Sequence, residues 1–392
     1  MNRCLGVLEA LREGFLALPL ETPQERIQNH LEQIHALSNL SEVMDCLYRW
    51  ELSAGYITRE KLEEVERLEF PDPQTGVTFR LQVNFARTRY TDAQERERAA
   101  PEPPARSPAL PARSPALPAP SPALPAPRAC LLCRENIGRP GKEALRVYEF
   151  PLDGRSRRFF LQLTPFPLYP YHFVPVLAEH APQRLSAQSL SDMLDLLRLA
   201  PGYTVVSNSD VEWAGASILT HLHFQMLRGV RLPVMAARPV PGLTRRLAGV
   251  SVEFLDYPMA AFRFSSAEEQ PLAAAAAALL ERWQSLDPGR NTVNLNLIRE
   301  PGPRPGYLAT VLLRNPDYRT PESLRRLKSE GVGVIEASGE AILPVPKGPD
   351  AEPLWHMIRE DGLSLVKALI AGNSPPRDPD RMAELLESAA SG

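Results

Sequence analysis

The stretch Ile218-Leu219-Thr220-His221-Leu222-His223-Phe224-Gln225 alternates side chains in a way that decides how the rest of the chain is read. Successive side chains of an extended strand point to opposite faces, so His221, His223 and Gln225 share one face while Leu222 and Phe224 point into the packed side. The two imidazoles then stand about 7 Å apart at their backbones. One strand face therefore carries two nitrogen ligands or bases. With only 7 histidines in 392 residues, two on one face mark a site rather than a solvated surface.

Upstream, residues 147–150 and 159–164 read as strands, and 165–176 (PFPLYPYHFVPV) as an apolar strand entered through prolines. Glu179-His180 comes next, then a helix over 189–199 whose Leu190, Met193, Leu194, Leu196 and Leu197 fit one face, and a strand at 203–208. A polar loop containing glycine leads from there to His221. Beyond residue 250 the order repeats: strands at 252–254 and 261–264, an Ala-rich helix over 271–283, then strands at 292–297, 309–313 and 332–344. Two strand-helix-strand halves in succession predict an α+β fold, each half an antiparallel sheet with a helix, joined into one extended sheet.

The remaining segments divide by composition. Residues 1–70 are charged and Leu-rich, with Ile34, Leu37, Leu40, Val43, Met44 and Leu47 at helical spacing, and read as an N-terminal helical region. Residues 77–85 alternate as a half-buried strand. Residues 71–98 and 128–240 form the first half, interrupted at 99–127 by a Pro-rich, disordered insertion that repeats Ser-Pro-Ala-Leu-Pro-Ala every seven residues from Ser107, Ser114 and Ser121. Residues 241–347 form the second half, and 348–392 a polar helical tail.

With 44% hydrophobic residues the chain can bury a large core. Lys and Arg number 44 against 47 Asp and Glu, a formal net charge of −3, which leaves no whole-chain basic field for nucleic acid or an anionic membrane. No window approaches the ~20 apolar residues of a membrane span, and Met1-Asn2-Arg3-Cys4 does not open a secretory signal. The expectation is a soluble, cytoplasmic protein, with a homodimer as the one protein assembly in view.

Of the 4 cysteines, Cys130 and Cys133 have two residues between them, a spacing suited to metal or redox chemistry and too tight for a routine structural disulfide. A closed zinc site needs four ligands. Two would come from histidines, with His180 and either His221 or His223 as candidates; a redox pair would want a helix N-terminus beside a βαβ unit, which is not evident. Two plain thiols remain the other reading. His172 reads as packed or phosphate-contacting. Arg87, Arg228 and Arg314 read as phosphate clamps or surface charges. His30, His35 and His356 read as solvated, and Cys4 and Cys46 as inert.

Residues 207–225 (SNSDVEWAGASILTHLHFQ) resemble the active-site signature of the type II galactose-1-phosphate uridylyltransferases, within the histidine-triad superfamily, with the spacing from Asn208 to His223 matching without a gap. Cys130-Leu-Leu-Cys133-Arg-Glu-Asn136 resembles that family's Cys-pair segment, and residues 331–344 (GVGVIEASGEAILP) its C-terminal strand. His221-Leu-His-Phe-Gln225 and Asp256-Tyr257-Pro258-Met259 also resemble the nucleoside-diphosphohexose phosphorylases of the same superfamily.

The resemblance implies a histidine-triad-like fold and nucleotidylyl transfer from a nucleotide sugar of the UDP-glucose type to a hexose-1-phosphate. Phosphorolysis of a nucleoside-diphosphohexose or dinucleoside polyphosphate, or a non-catalytic module that binds nucleotide sugars, is the alternative. It implies His223 as the nucleophile, Gln225 in place of a third histidine, and Asn208, Gly215 and Ser217 as binders of the nucleotide phosphates, with Arg228 the added candidate for substrate. It implies Cys130, Cys133, His180 and His221 as a structural zinc set. Met226-Leu227 stand where the type II family has two glycines, and no histidine occurs between Arg228 and Leu354, so the acceptor pocket is expected to differ.

Overall fold

The computed structural model describes residues 2–63, 65–84, 130–138, 142–152, 156–165, 167–215, 218–247, 249–300, 306–319, 324, 332–344 and 351–391. The Pro-rich insertion, Arg87 and Ser217 lie outside them. Helices α1 (Asn2–Leu16), α2 (Gln24–Leu37), α3 (Leu40–Ser53) and α4 (Arg59–Glu63) come first. The start of α3 is set by Asn39, whose side chain accepts from the Glu42 amide at 3.3 Å, a polar cap for an orphan donor. Strands β1 (Val65–Asp72) and β2 (Val77–Asn84) then form a hairpin. The sequence suggests a helical region continuing to residue 70, because the apolar residues Val65, Leu68 and Phe70 do not alternate strictly; pairing with β2 overrides that local signal.

The first half comprises β3 (Tyr148–Pro151), β4 (Arg158–Leu163), β5 (His172–Leu177), α5 (Ala187–Leu199), β6 (Tyr203–Ser207) and β7 (Gln225–Arg228). The second comprises β8 (Pro239–Leu247), β9 (Val250–Leu255), β10 (Ala261–Ser266), α6 (Glu269–Leu286), β11 (Thr292–Glu300) and β12 (Gly306–Arg314). Together they make one ten-stranded sheet in the order β3-β4-β5-β7-β6-β11-β12-β10-β9-β8, every pairing antiparallel. From either edge to the centre the halves repeat the same order, with a helix between their third and fourth strands. They join where β6 meets β11, from Thr204↔Ile298 to Ser207↔Leu295.

After β12 come the short helix α7 (Val334–Ala337), β13 (Glu340–Pro344), α8 (Ala351–Ile370, kinked at Asp361) and α9 (Pro379–Ser391). The expected strand over 332–344 is thus a helical turn followed by a strand. Neither β2 nor β13 joins the halves: β13 pairs in parallel with β2, giving a separate three-stranded sheet, β1-β2-β13. The tail is not merely polar, since Leu354, Ile358, Leu365, Val366, Leu369 and Ile370 of α8 are buried, as are Met382, Leu385 and Leu386 of α9.

One face of the large sheet packs against α1–α3, α5, α6 and α9, with Phe15, Ile34, Leu47, Trp50, Leu190, Leu280 and Leu385 in one core. The other face is covered by the small sheet, α8 and α7. Within this cover Gly362 lets α8 lie against β1, because a Cβ there would meet the Phe70 ring at 2.2 Å. At the sheet's edge, Gln24 and Gln28 of α2 each exchange two hydrogen bonds, of 2.7–2.9 Å, with the backbone of Val147 and Glu149, which satisfies groups an edge strand would expose. No helix among the described residues is long and apolar enough to cross a membrane.

Candidate active site

His221 and His223 lie in the extended run that enters β7, with His223 forming an isolated antiparallel bridge to Val176 of β5. Leu222 and Phe224 point into the helix-covered core with Met226, while Leu227 packs in the cluster on the opposite face. The alternation read from the sequence therefore holds, and it puts His221, His223 and Gln225 on the face that α7 and the small sheet cover. Both histidines are buried.

The His223 ring is held by its own strand. Its Nδ1 is 2.8 Å from the His221 carbonyl oxygen, which can only accept, so Nδ1 carries the proton and Nε2 the lone pair. Burial pushes its pKa down to about 4, so the ring is neutral at physiological pH. The His223 amide donates to Gln183 Oε1 at 3.0 Å. Nothing in the sequence singles out Gln183: it lies 40 residues away, and no local pattern connects a loop glutamine to this backbone.

Gln225 Oε1 is 2.9 Å from His172 Nε2, and His172 Nδ1 accepts from the Leu168 amide at 3.2 Å. His172 must then be the neutral Nε2–H tautomer, and burial lowers its pKa to about 4. Fixing the carboxamide oxygen on His172 directs the Gln225 NH₂ group elsewhere. His172 is thus a buried, doubly hydrogen-bonded residue, in line with packing rather than direct phosphate contact.

Asn208 is also buried, and its Oδ1 accepts from the Val334 amide at the start of α7 at 3.2 Å. Gly215 has φ +90°, and a Cβ there would lie 2.0 Å from the Val332 carbonyl oxygen, so only glycine fits. Arg228 is not brought to these residues. It falls on the opposite strand face from His223 and Gln225, stacks over Tyr171 at 4.5 Å from the ring centroid, and donates to Asp45 Oδ1 at 3.1 Å. The period of two that joins the histidines excludes an even-numbered neighbour from their face. Arg314 is fully buried rather than a surface charge or a phosphate clamp: it donates to Asn294 Oδ1 at 2.5 Å and the Val332 carbonyl at 2.8 Å.

Cys130, Cys133, His180 and His221 converge, each offering one ligand atom, with all four atoms within 4.8 Å of one another. Cys133 Sγ lies 3.0 Å from His180 Nδ1 and 3.6 Å from His221 Nδ1, and Cys130 Sγ lies 3.8 Å from His221 Nδ1. A tetrahedral zinc with ordinary bond lengths requires sulfur–nitrogen edges of about 3.5 Å, so the set fits the ion. His221 Nε2 donates to the Leu177 carbonyl at 2.8 Å, which turns the Nδ1 lone pair toward the sulfurs. Burial opposes a thiolate at Cys130, but the adjacent His221 ring and the hydrogen bond from the Thr220 hydroxyl bring its pKa down to about 7. Burial and the Cys130 sulfur push Cys133 up to about 12. Two adjacent sulfurs hold one negative charge between them until a cation compensates the second. Of the two candidates, His221 faces the thiols.

A family model described as a domain of unknown function (DUF4922) matches residues 122–228, the segment from the Cys pair to the end of β7. Galactose-1-phosphate uridylyltransferase of Bacillus subtilis is 30% identical over 249 residues, 55% of this chain and 46% of that protein. The protein of the same name from Halalkalibacterium halodurans is 27% identical over 239 residues, 55% of this chain and 47% of its own. The chain spans about half the length of the curated relatives it matches. Among solved structures, yeast Ap4A phosphorylase superposes with a TM-score of 0.53 at 17% identity, covering 88% of this chain and 98% of the yeast chain. Its complex with Ap4A gives 0.51 at 15% identity, covering 85% and 96%. The chain is therefore similar in sequence to galactose-1-phosphate uridylyltransferases and has the two-half, histidine-triad-like α+β fold of an Ap4A phosphorylase.

Proposed function

We propose that this chain transfers a nucleoside monophosphate from a nucleotide sugar of the UDP-glucose type to a hexose-1-phosphate, through a covalent bond to His223. One observation carries the reading: His223 is buried and neutral, its Nδ1–H is held by the His221 carbonyl, and the residue two further on is a glutamine that cannot titrate. The Nε2 lone pair attacks the α-phosphorus, an N–P bond forms, and the P–O bond to hexose-1-phosphate breaks with its electron pair. The leaving group is a phosphate monoester with a second pKa near 6, so it departs at neutral pH without taking a proton. An oxygen of the acceptor phosphate then attacks phosphorus, and the N–P pair returns to Nε2.

Water as acceptor would have to lose a proton, and Gln225 has no means of accepting one, so transfer outruns hydrolysis. With its oxygen on His172, Gln225 donates through its NH₂ group to a phosphoryl oxygen. Asn208 has its oxygen committed to Val334 and likewise donates through Nδ2. The Gly215 amide and the Ser217 hydroxyl complete a set of neutral donors where negative charge grows. Cys130, Cys133, His180 and His221 would hold one zinc, which when bound neutralises the paired thiolates and fixes the strand that carries His223.

Inorganic phosphate as acceptor is the second reading, favoured by the fold match to a phosphorylase over 98% of that chain. Incubation with UDP-glucose labelled in the α-phosphate should leave acid-labile, base-stable label on the protein, discharged by galactose-1-phosphate under the first reading and by phosphate under the second. GDP- and ADP-hexoses identify the base. Binding of every nucleotide sugar without label on the protein defeats both.

A further inference from the structure

The four N-terminal helices and the three-stranded sheet belong to neither half, yet both reach the same segment, residues 167–172, which leads into β5. From the small sheet, Gln82 Nε2 donates to the Leu168 carbonyl at 3.1 Å, and Arg67 donates to the same oxygen. Tyr169 donates its hydroxyl to Glu340 of β13, a buried carboxylate 3.3 Å from Arg80. From the helical region, Asp45 Oδ1 accepts from the Tyr171 hydroxyl at 2.9 Å and from Arg228 at 3.1 Å, and Tyr48 stacks on the Tyr171 ring with centroids 3.9 Å apart.

Tyr171 has φ 55°, a left-handed conformation that costs a residue with a Cβ free energy and persists only where its surroundings enforce it. The next residue in the chain is His172, whose ring holds the Gln225 carboxamide. The β5–β7 ladder has two pairs, His172↔Leu227 and Phe173↔Met226; Tyr171 and Arg228 stand just beyond its end, with Arg228 over the Tyr171 ring. Asp45 closes that end by gripping both.

We propose that the elements outside the two halves form a positioning device for Gln225, in which Asp45 and Tyr171 hold the 167–172 turn so that His172 presents one tautomer and one orientation to the carboxamide. Asp45 and Tyr171 are positioning residues that never meet substrate. The assignment rests on the role of Gln225 in the proposed reaction, and its test has an arm that does not use that reaction.

Asp45→Asn and Tyr171→Phe keep size and shape. In protein labelled with ¹⁵N-histidine, with His172→Phe to assign the signals, the wild-type His172 ring should give the pattern of a single Nε2–H tautomer. Both variants should turn it into a tautomer mixture while leaving the His223 pattern unchanged. In the kinetic arm each variant should slow protein labelling from the nucleotide sugar by about tenfold at unchanged KM, and adding His172→Phe should cause no further loss, because all act through one contact. A wild-type His172 pattern in both variants overturns the proposal, as do losses that add to that of His172→Phe. If wild-type protein takes up no label at all, the reaction reading fails and the ring signals still decide the device.

Discussion

The two halves of the sheet share strand order, helix position and pairing, and differ in what their fourth spatial strands carry. Arg228 pairs with Tyr203 at the end of β7, and Arg314 pairs with Thr292 at the end of β12. These arginines do not share a face: Leu308 and Leu312 of β12 pack under the small sheet, so Arg314 falls with Thr310 on the face that carries His221, His223 and Gln225, and Arg228 falls on the other. The second half has the same scaffold and carries Leu308, Thr310 and Leu312 on the face where the first carries imidazoles and an amide. Its contribution is to brace its partner. Arg314 holds the Val332 carbonyl against which Gly215 sits, Asn294 donates to the Ser207 carbonyl at 3.3 Å, and Thr292 donates to Asp210 Oδ1 at 2.5 Å.

That division of labour can be tested by substitution at several points. The largest effect on stability belongs to Cys130→Ser in the first half: metal analysis should fall from about one equivalent of zinc to none, and denaturant unfolding should show a loss of several kcal/mol. Unchanged metal content would rule the cluster out as the zinc site. The arginines that end β7 and β12 should behave oppositely. Arg314→Met strands buried acceptors at Asn294 and Val332 and should cost about 3 kcal/mol, whereas Arg228→Met breaks a half-exposed pair and should cost less than about 1 kcal/mol.

Smaller effects separate the halves at the site itself. Gln225→His gives the first half a group able to take a proton from water, so the ratio of hydrolysis to transfer should rise about tenfold, read from free nucleoside monophosphate against exchanged nucleotide sugar. The smallest is a pH effect. His172 has a folded pKa of about 4 against about 6.5 unfolded, so the unfolded chain binds the extra proton between those values. Its stabilisation is complete above pH 6.5 and is lost as pH falls toward 4, roughly 1 kcal/mol of it between pH 6 and pH 5. His172→Phe should flatten the stability profile by that amount; a slope unchanged by the substitution would mean that the ring is charged in the folded protein.

Much of the fold and the site is legible in the chain because it is local or repeated. Alternation through His221, His223 and Gln225, the helices around Leu194 and Leu280, and the repeated strand order all lie within short windows. The features that escape a reading of the sequence are carried by long-range contacts. The parallel pairing of β13 with β2 joins residues about 260 positions apart, and the Gln183 and His172 contacts span 40 and 53 positions. Arg228 illustrates a different failure: its proximity in sequence suggests a phosphate contact, while the strand parity that organises its neighbours sends it to the other face. Arg314 gives no local sign of burial, since a charged residue at a strand end ordinarily reaches solvent.

In the proposed reaction one half alone performs the chemistry, through His223. The decisive quantity is the label retained on wild-type protein and on His223→Gly after incubation with α-³²P-UDP-glucose and denaturation in base. About one equivalent of acid-labile label is expected on the wild type and none on a folded His223→Gly protein. Label that persists on His223→Gly, or a wild-type enzyme that turns over with intersecting initial-rate lines and no labelled intermediate, would contradict the covalent route through this residue.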